Sequence, residues 1–231
     1  MPPPALIESV SEQVAASGSV SVQVIANFAW QHMKAATMFR DHAQELERKH
    51  AASAIGPQFE EIRAYASACL MSTAASLEAL VNEYFIATNG KLRPMFADFE
   101  VDFWARGGVE RKPILEKYQH ALKLLGYAAL DESSTIYQDT SALIELRNNL
   151  VHYKPTWDTD RTSKVSLIKY LNGKYPISPF LTASDDFITM QSMSYGCCNW
   201  AVGTAFKFIH DFDGRARLDD DKMKGFWLIE S

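Results

Sequence analysis

The sequence is poor in cysteine, and its few cysteines are not arranged as disulfide or zinc ligands usually are. Of its 231 residues only Cys69, Cys197 and Cys198 are cysteines, and two of them are adjacent. An odd number without CxxC spacing does not fit a disulfide framework or a zinc site, and it suits a reducing compartment. We expect Cys197 and Cys198 to be buried structural residues, and the alternative is a nucleophilic cysteine in this segment.

Targeting, membrane-spanning and nucleotide-binding signals are also lacking. The first segment, MPPPALIESV, has neither the basic nor the apolar region of a signal peptide. No window approaches the ~18 uncharged apolar residues that a transmembrane helix needs. No glycine-rich phosphate loop follows a strand, which argues against P-loop and Rossmann nucleotide sites. The sequence therefore predicts a cytoplasmic, soluble protein without a membrane partner.

The sequence also lacks an excess of positive charge and a metal-binding pattern. Lys and Arg number 23 against 28 Asp and Glu, and the net charge of −5 argues against bulk coating of nucleic acid. A small local positive site remains compatible with this balance. The histidines at 32, 42 and 50 are spaced by ten and eight residues, not by the four that chelate on one helical face. We therefore predict no metal site and no cofactor.

Helical periodicity is the main feature that the sequence does have. Hydrophobic residues make up 47% of the chain and charged residues 22%, as in a well-cored domain. Apolar positions recur every 3.6 residues, with Gly, Pro and Asn at the breaks. This pattern predicts helices over 22–50, 58–88, 113–125, 134–153 and 195–212, with Trp200 and Phe208 buried on the last one.

These helices predict an all-α fold, an up-and-down bundle of four to five helices. Residues 1–20 are expected to be a loose lead-in and residues 213–231 a charged C-terminal tail. The helical domain spans 21–212 as a single unit. Within it, residues 91–112 are read as loop and short helix, and residues 154–193 form an irregular insertion before the last helix.

One polar stretch, LRNNLVHYKP at 146–155, stands out at the end of the fourth predicted helix. On a helical wheel, Arg147 lies inside an apolar arc of the same helix. A buried guanidinium without a partner costs several kcal/mol. Arg147 must therefore pair with a core carboxylate such as Glu78, extend to an edge, or face a shared cleft. The arc consists of Leu143, Ile144, Leu146, Leu150 and Val151.

His152 follows Arg147 by five residues, so an ideal helix places the two side chains ~140° apart and ~7.5 Å along the axis. They could converge if the helix unwinds at Tyr153–Lys154, which the following proline favours, or if a second copy of the helix contributes. The alternative for His152 is a cation stabilised by the helix C-terminus. Asn148 could equally be a surface polar residue.

The segment RNNLVH matches the arginine, polar residue, three residues, histidine motif of the HEPN superfamily of helical domains. The segments SLEALVNEYF, LEKYQHALKLLG and YGCCNWAVGTAFKFIHDF also resemble those of bacterial HEPN-like families. The resemblance covers about residues 20–212 and includes the place of the motif in the penultimate bundle helix. We therefore suspect a HEPN-like domain.

This resemblance implies a metal-independent endoribonuclease that acts as a homodimer, with two motifs meeting in one cleft. RNA would be cleaved by its own 2′-hydroxyl to give a 2′,3′-cyclic phosphate. His152, with a reference pKa of ~6.5, suits acid–base work, and Arg147 suits a bidentate phosphate contact. Asn148 would orient the phosphate or His152, and Tyr153 and Lys154 would contact the substrate backbone more weakly.

The same resemblance suggests a toxin or defence effector, with an antitoxin or regulatory protein as a possible partner. The alternative is a non-catalytic HEPN-like module that uses the same helices for dimerisation or partner binding.

Overall fold

The fold is an all-α helical bundle. The computed structural model describes residues 28–86, 108–154, 164–216 and 223, together with the backbone of 13–14 and 20–21. Within these residues six α-helices occur, five of them long: α1 (Ala29–His50), α2 (Pro57–Ile86), α3 (Ile114–Leu124), α4 (Thr135–Val151), the short α5 (Val165–Leu171) and α6 (Tyr195–Ala216). A 3₁₀ turn at Val109–Arg111 and a π-helix at Phe187–Gln191 complete the helical elements. The two-residue strands β1 (Gln13–Val14) and β2 (Val20–Ser21) pair in antiparallel fashion.

α1 and α2 form an antiparallel pair joined by the short connection at 51–56. The start of α1 lies beside the end of α2, where Glu83 Oε1 accepts the backbone N–H groups of Phe28 at 2.7 Å and Ala29 at 2.9 Å. The first N–H groups of a helix have no partner within the helix, so a carboxylate here satisfies them and also complements the helix dipole. Ser76 Oγ donates to the carbonyl of Ala29 at 2.7 Å and fixes the same crossing.

α6 packs against α1, α2 and α4 and provides much of the core. Phe208 is fully buried, and Trp200 is partly buried against the core cluster, so the predicted facing of this helix is confirmed. The ring of Tyr118 on α3 meets Phe208 and Phe212 edge-on, with centroids 4.8 and 4.7 Å away. Its hydroxyl donates to the carbonyl of Leu77 at 2.7 Å, which satisfies the one polar atom in this aromatic cluster.

Several predicted boundaries differ from the observed ones. The first helix begins at Ala29, and residues 22–27 lie outside the described part of the chain. The last helix continues to Ala216, so the predicted tail boundary at 213 is about one turn too early, and Met223 is buried in the core. The insertion at 154–193 is more regular than expected because it contains α5 and the π-helix. Residues 87–107 and 155–163 lie outside the described residues.

One helix is apolar over much of its length. The stretch Pro57–Phe85 is long and apolar enough to cross a membrane by length and composition, with a mean hydropathy of 1.3. Half of the residues in its most apolar 18-residue segment are buried inside the bundle, as expected for the central helix of a bundle. Length and composition alone therefore do not distinguish a membrane-spanning helix from the central helix of a bundle.

The three cysteines are core residues. Cys69, Cys197 and Cys198 are all free and fully buried. Burial raises the pKa of the Cys197 thiol, and a hydrogen bond with Cys69 together with burial raises that of Cys198. Because the thiolate is the reactive form, these shifts disfavour nucleophilic chemistry. The prediction of buried structural cysteines is confirmed.

Glu47 connects the last turn of α1 to the start of α6. Its Oε1 accepts the backbone N–H of Tyr195 at 3.0 Å. Burial raises the pKa of the Glu47 carboxyl, and the hydrogen bond from the Tyr195 backbone offsets this only in part. The folded protein thus binds the Glu47 proton more tightly than the unfolded chain does. This contribution favours folding at pH values near and below the reference pKa of 4.5, and it is lost as the pH rises through the raised folded value.

Glu47→Gln should therefore gain stability relative to the wild type as the pH rises from about 4 to 7, since glutamine keeps an acceptor for Tyr195 but never ionises. Urea unfolding of both proteins at several pH values measures the difference. Glu45→Gln, an exposed neighbour on the same helix, controls for the loss of one charge. A difference that stays flat or falls over this range would contradict the raised pKa.

Candidate functional site at the end of α4

The sequence of α4 sets where the motif residues lie. Ser134 begins the helix because its hydroxyl accepts the N–H of Tyr137 at 3.2 Å. The helix ends at Val151, and His152 leaves it with φ −105° and ψ 37° while its N–H still donates to the Asn148 carbonyl at 2.9 Å. The helix therefore unwinds one residue earlier than the predicted Tyr153–Lys154 position. His152 occupies the C-cap and not a helical face.

The apolar arc of α4 is covered mainly by the subunit itself. Leu143 and Leu146 are fully buried in the core, while Ile144 and Leu150 are partly buried against it. Of the predicted arc, Val151 alone is exposed, to 49%. The arc needs no second copy to bury it, because α2 and α6 of the same subunit already pack on α4.

Arg147 forms an ion pair within the subunit. Its Nη2 lies 3.5 Å from Glu78 Oε2 on α2, and the two side chains are 21% and 39% exposed. Pairing with Glu78 was one of the three possibilities that the wheel left open, and it is confirmed. The Nε–H of Arg147 is buried and has no hydrogen-bond partner among the described residues. The guanidinium thus contacts Glu78 through Nη2, while its Nε–H remains available as a donor.

Lys117 on α3 is a member of this cluster that the sequence reading missed. Its side chain is 1% exposed, and its Nζ lies 3.4 Å from Glu78 Oε1 and 3.0 Å from Asn82 Oδ1. Lys117 sits between Ile114 and Ala121 on the apolar face of α3, so the helical pattern did carry a signal for its burial. Two cations share the carboxylate of Glu78, which leaves the group with a net charge of +1.

His152 lies on the surface, one residue beyond the end of α4, the helix that carries Arg147. His152, Tyr153, Lys154 and Asn148 are all exposed. No hydrogen bond or ion pair engages the imidazole of His152 among the residues that the structure describes. At the start of α5, Lys164 Nζ lies 5.5 Å from the ring centroid of Tyr153. This places a further cation at the same end of α4.

Arg147 and His152 are therefore close in sequence but face different surroundings. Arg147 turns towards α2 and Glu78, whereas His152 is exposed beyond the helix end. Within the described chain, no hydrogen bond joins them. The backbone carbonyl of Asn148 accepts the N–H of His152 at the helix end, and the Asn148 side chain is exposed to solvent. Of the predicted site residues, Asn148, His152, Tyr153 and Lys154 are exposed, whereas Arg147 is ion-paired with Glu78.

No group of three or more His, Cys, Asp or Glu side chains that could hold a metal ion occurs in the described ranges. Comparison with known proteins finds no matching family model, no matching curated protein and no matching solved structure.

Proposed function

We propose that the protein is a metal-independent endoribonuclease that acts as a homodimer. RNA is cleaved by attack of its own 2′-hydroxyl on the adjacent phosphate, which yields a 2′,3′-cyclic phosphate and a 5′-hydroxyl. The proposal follows from the resemblance of RNNLVH to the HEPN motif.

The observation that carries the proposal is the state of His152. Its imidazole is exposed at the end of α4 and has no partner among the described residues. A histidine that is neither packed nor paired can approach a substrate, and an imidazole is the side chain best suited to accept or donate a proton near neutral pH. Lys154 and Lys164 flank it and suit contacts to the phosphates of an RNA backbone.

The acid–base roles divide between two histidines in the proposed dimer. One His152 removes the proton from the 2′-hydroxyl as the oxygen attacks phosphorus. His152 of the partner subunit donates a proton to the leaving 5′-oxygen, so that the P–O bond breaks without forming a free alkoxide. Asn148, exposed one turn before His152, is placed to orient either the phosphate or the imidazole.

Arg147 stabilises the charge that develops on the phosphate. The net charge of +1 on the group of Lys117, Glu78 and Arg147 leaves it able to attract an anion. The buried Nε–H of Arg147 is an unused donor, so a phosphate oxygen would gain a hydrogen bond if the side chain moved outward. Such a movement exchanges one contact with Glu78 for a bidentate contact with phosphate.

Exposed apolar residues near His152 support the dimer. Val151 and Tyr153 are 49% and 48% exposed, and Val165 at the start of α5 is 57% exposed. Contact through these side chains would bring two copies of His152 close together.

We expect sedimentation to show a dimer at tens of micromolar. Val151→Asp should dissociate it without unfolding, because the side chain is exposed in the subunit. Met38→Asp is the matched control, since Met38 is 53% exposed on the distant α1. A wild-type monomer, or equal dissociation by both variants, would contradict this interface.

The proposed activity is tested by incubating purified protein with a panel of single-stranded RNAs in EDTA. Cleavage should persist because no step uses a metal ion. Protein that is folded and dimeric but leaves every RNA intact would contradict the proposal.

A second candidate, a non-catalytic dimerisation or partner-binding module, is favoured by a different observation. Arg147 is already paired with Glu78 inside the subunit, as a purely structural residue would be. In such a module the surface of Val151, Tyr153 and Val165 would still mediate assembly. A dimer that dissociates on Val151→Asp but shows no RNA cleavage is the result expected for this candidate.

A further inference from the structure

Two cations share the carboxylate of Glu78, and neither holds it tightly. Lys117 Nζ lies 3.4 Å from Glu78 Oε1, and Arg147 Nη2 lies 3.5 Å from Glu78 Oε2. Both distances exceed the ~2.7–2.9 Å of a strong charge-assisted hydrogen bond. The two cations differ in what else holds them, and this difference decides which of them can leave.

Lys117 is the cation that stays in place. Its side chain is 1% exposed, so no solvent is at hand to replace its partners. Its Nζ also donates to Asn82 Oδ1 at 3.0 Å, a shorter contact than the one to Glu78. Because α3 packs on α2, the ammonium of Lys117 remains beside Glu78 whether Arg147 is paired or not.

Arg147 is the cation that can leave. Its side chain is 21% exposed, and its Nε–H is buried without a hydrogen-bond partner among the described residues. Movement of the guanidinium towards solvent gives up the contact with Glu78 and lets the Nε–H reach an acceptor.

The free energy required for this movement depends on what remains beside Glu78. The carboxylate is 39% exposed, so water solvates only part of it. Without a second cation, the departure of Arg147 would leave a half-buried charge unpaired, which disfavours the departure. Lys117, at 3.4 Å, keeps the carboxylate paired in both arrangements.

We propose that Lys117 is a positioning residue that neutralises Glu78, so that Arg147 can exchange Glu78 for a phosphate group. The inference rests on the proposed contact between Arg147 and the phosphate of RNA, and it names the residue that makes Arg147 available for it. Without Lys117, Glu78 would retain Arg147, and the fraction of molecules able to bind phosphate would fall.

Titration of the full-length protein with inorganic phosphate at constant ionic strength tests the proposal without requiring RNA cleavage. Binding is followed by the NMR resonance of the Arg147 Nε–H, which is assigned by its absence from Arg147→Lys. In the wild type this resonance should shift and saturate. Lys117→Met should weaken phosphate binding about tenfold, within the range of coupling between charged residues in contact.

The double variant Lys117→Met with Glu78→Gln should regain the wild-type affinity, because no carboxylate is left to retain Arg147. Lys117→Met itself should fold, since Glu78 keeps Arg147 as its partner. A purely structural role of Lys117 would alter the melting temperature of Lys117→Met but leave the phosphate affinity of the folded protein unchanged.

Lys123→Met is the matched control, because Lys123 is an exposed lysine on the same helix, α3. It should bind phosphate as the wild type does. Equal weakening by Lys123→Met would mean that phosphate responds only to net charge, which would overturn the inference. Wild-type affinity in Lys117→Met, a double variant that stays weak, or a wild-type Arg147 resonance that ignores phosphate would overturn it as well.

The same experiment separates this inference from the proposed nuclease activity. The expected phosphate affinities in a protein that leaves RNA intact would contradict the nuclease alone. RNA cleavage by the wild type, together with wild-type phosphate affinity in Lys117→Met, would contradict only the role of Lys117.

Discussion

Glu78→Gln is expected to lower the free energy of unfolding by about 3 kcal/mol, the lower end of the range for breaking a buried ion pair. Glu78 is the carboxylate shared by Lys117 and Arg147. Glutamine keeps the shape of the side chain but removes the charge, which leaves the ammonium of Lys117, 1% exposed, without an anion. The effect stays near the lower end because Asn82 still accepts a hydrogen bond from Lys117 and because Glu78 is 39% exposed.

Urea unfolding of single and double variants separates this charge effect from packing. Lys117→Met replaces the buried ammonium by an apolar side chain of similar length. In the Glu78→Gln background it should recover stability, because the stranded charge is removed. Glu61→Gln on the surface of α2 should change the free energy by no more than ~0.5 kcal/mol. If Glu78→Gln also changed the free energy of unfolding by no more than ~0.5 kcal/mol, the ion-pair cluster would contribute little to the stability of the fold.

His152→Ala is expected to reduce the rate of RNA cleavage by ~10²–10⁴, the usual cost of removing a general acid–base group. The free energy of unfolding should change by less than ~0.5 kcal/mol, because His152 is an exposed side chain beyond the end of α4. His42→Ala is the matched control, since His42 is also exposed but lies on α1. Cleavage that survives His152→Ala, or falls equally with His42→Ala, would remove His152 from the mechanism.

Arg147→Ala is a less selective variant because it alters activity and stability together. Its loss leaves Glu78 with Lys117 as one remaining cation, so the stability cost should be smaller than that of Glu78→Gln. A variant that keeps full cleavage would show that Arg147 serves the fold alone.

The parts of the fold that were predicted correctly are those set by local pattern. α2 and α3 follow a continuous apolar stripe, and their observed ends lie within two residues of the predicted ones. The Arg147–Glu78 pair was open to prediction because an arginine on a buried arc requires a carboxylate. The same reasoning could have identified Lys117, which lies on the otherwise apolar face of α3.

The errors concern properties that depend on tertiary neighbours. A helical wheel shows that Leu143 and Leu146 need cover, but it does not show that α2 and α6 of the same subunit provide it. The π-helix at Phe187–Gln191 is stabilised by contacts such as the hydrogen bond from Gln191 Nε2 to the Asp185 carbonyl at 2.6 Å, and no periodic signal precedes it.

The most direct test of the central claim compares an RNA oligonucleotide with its fully 2′-O-methylated counterpart, both incubated with wild-type protein in EDTA and analysed by mass spectrometry. The account predicts that the RNA is cut to fragments ending in a 2′,3′-cyclic phosphate and beginning with a 5′-hydroxyl. The methylated strand, which lacks the attacking hydroxyl, should remain intact, and His152→Ala should leave both strands intact. Cleavage of the methylated strand, 3′-hydroxyl and 5′-phosphate ends, or equal cleavage by His152→Ala would contradict the account.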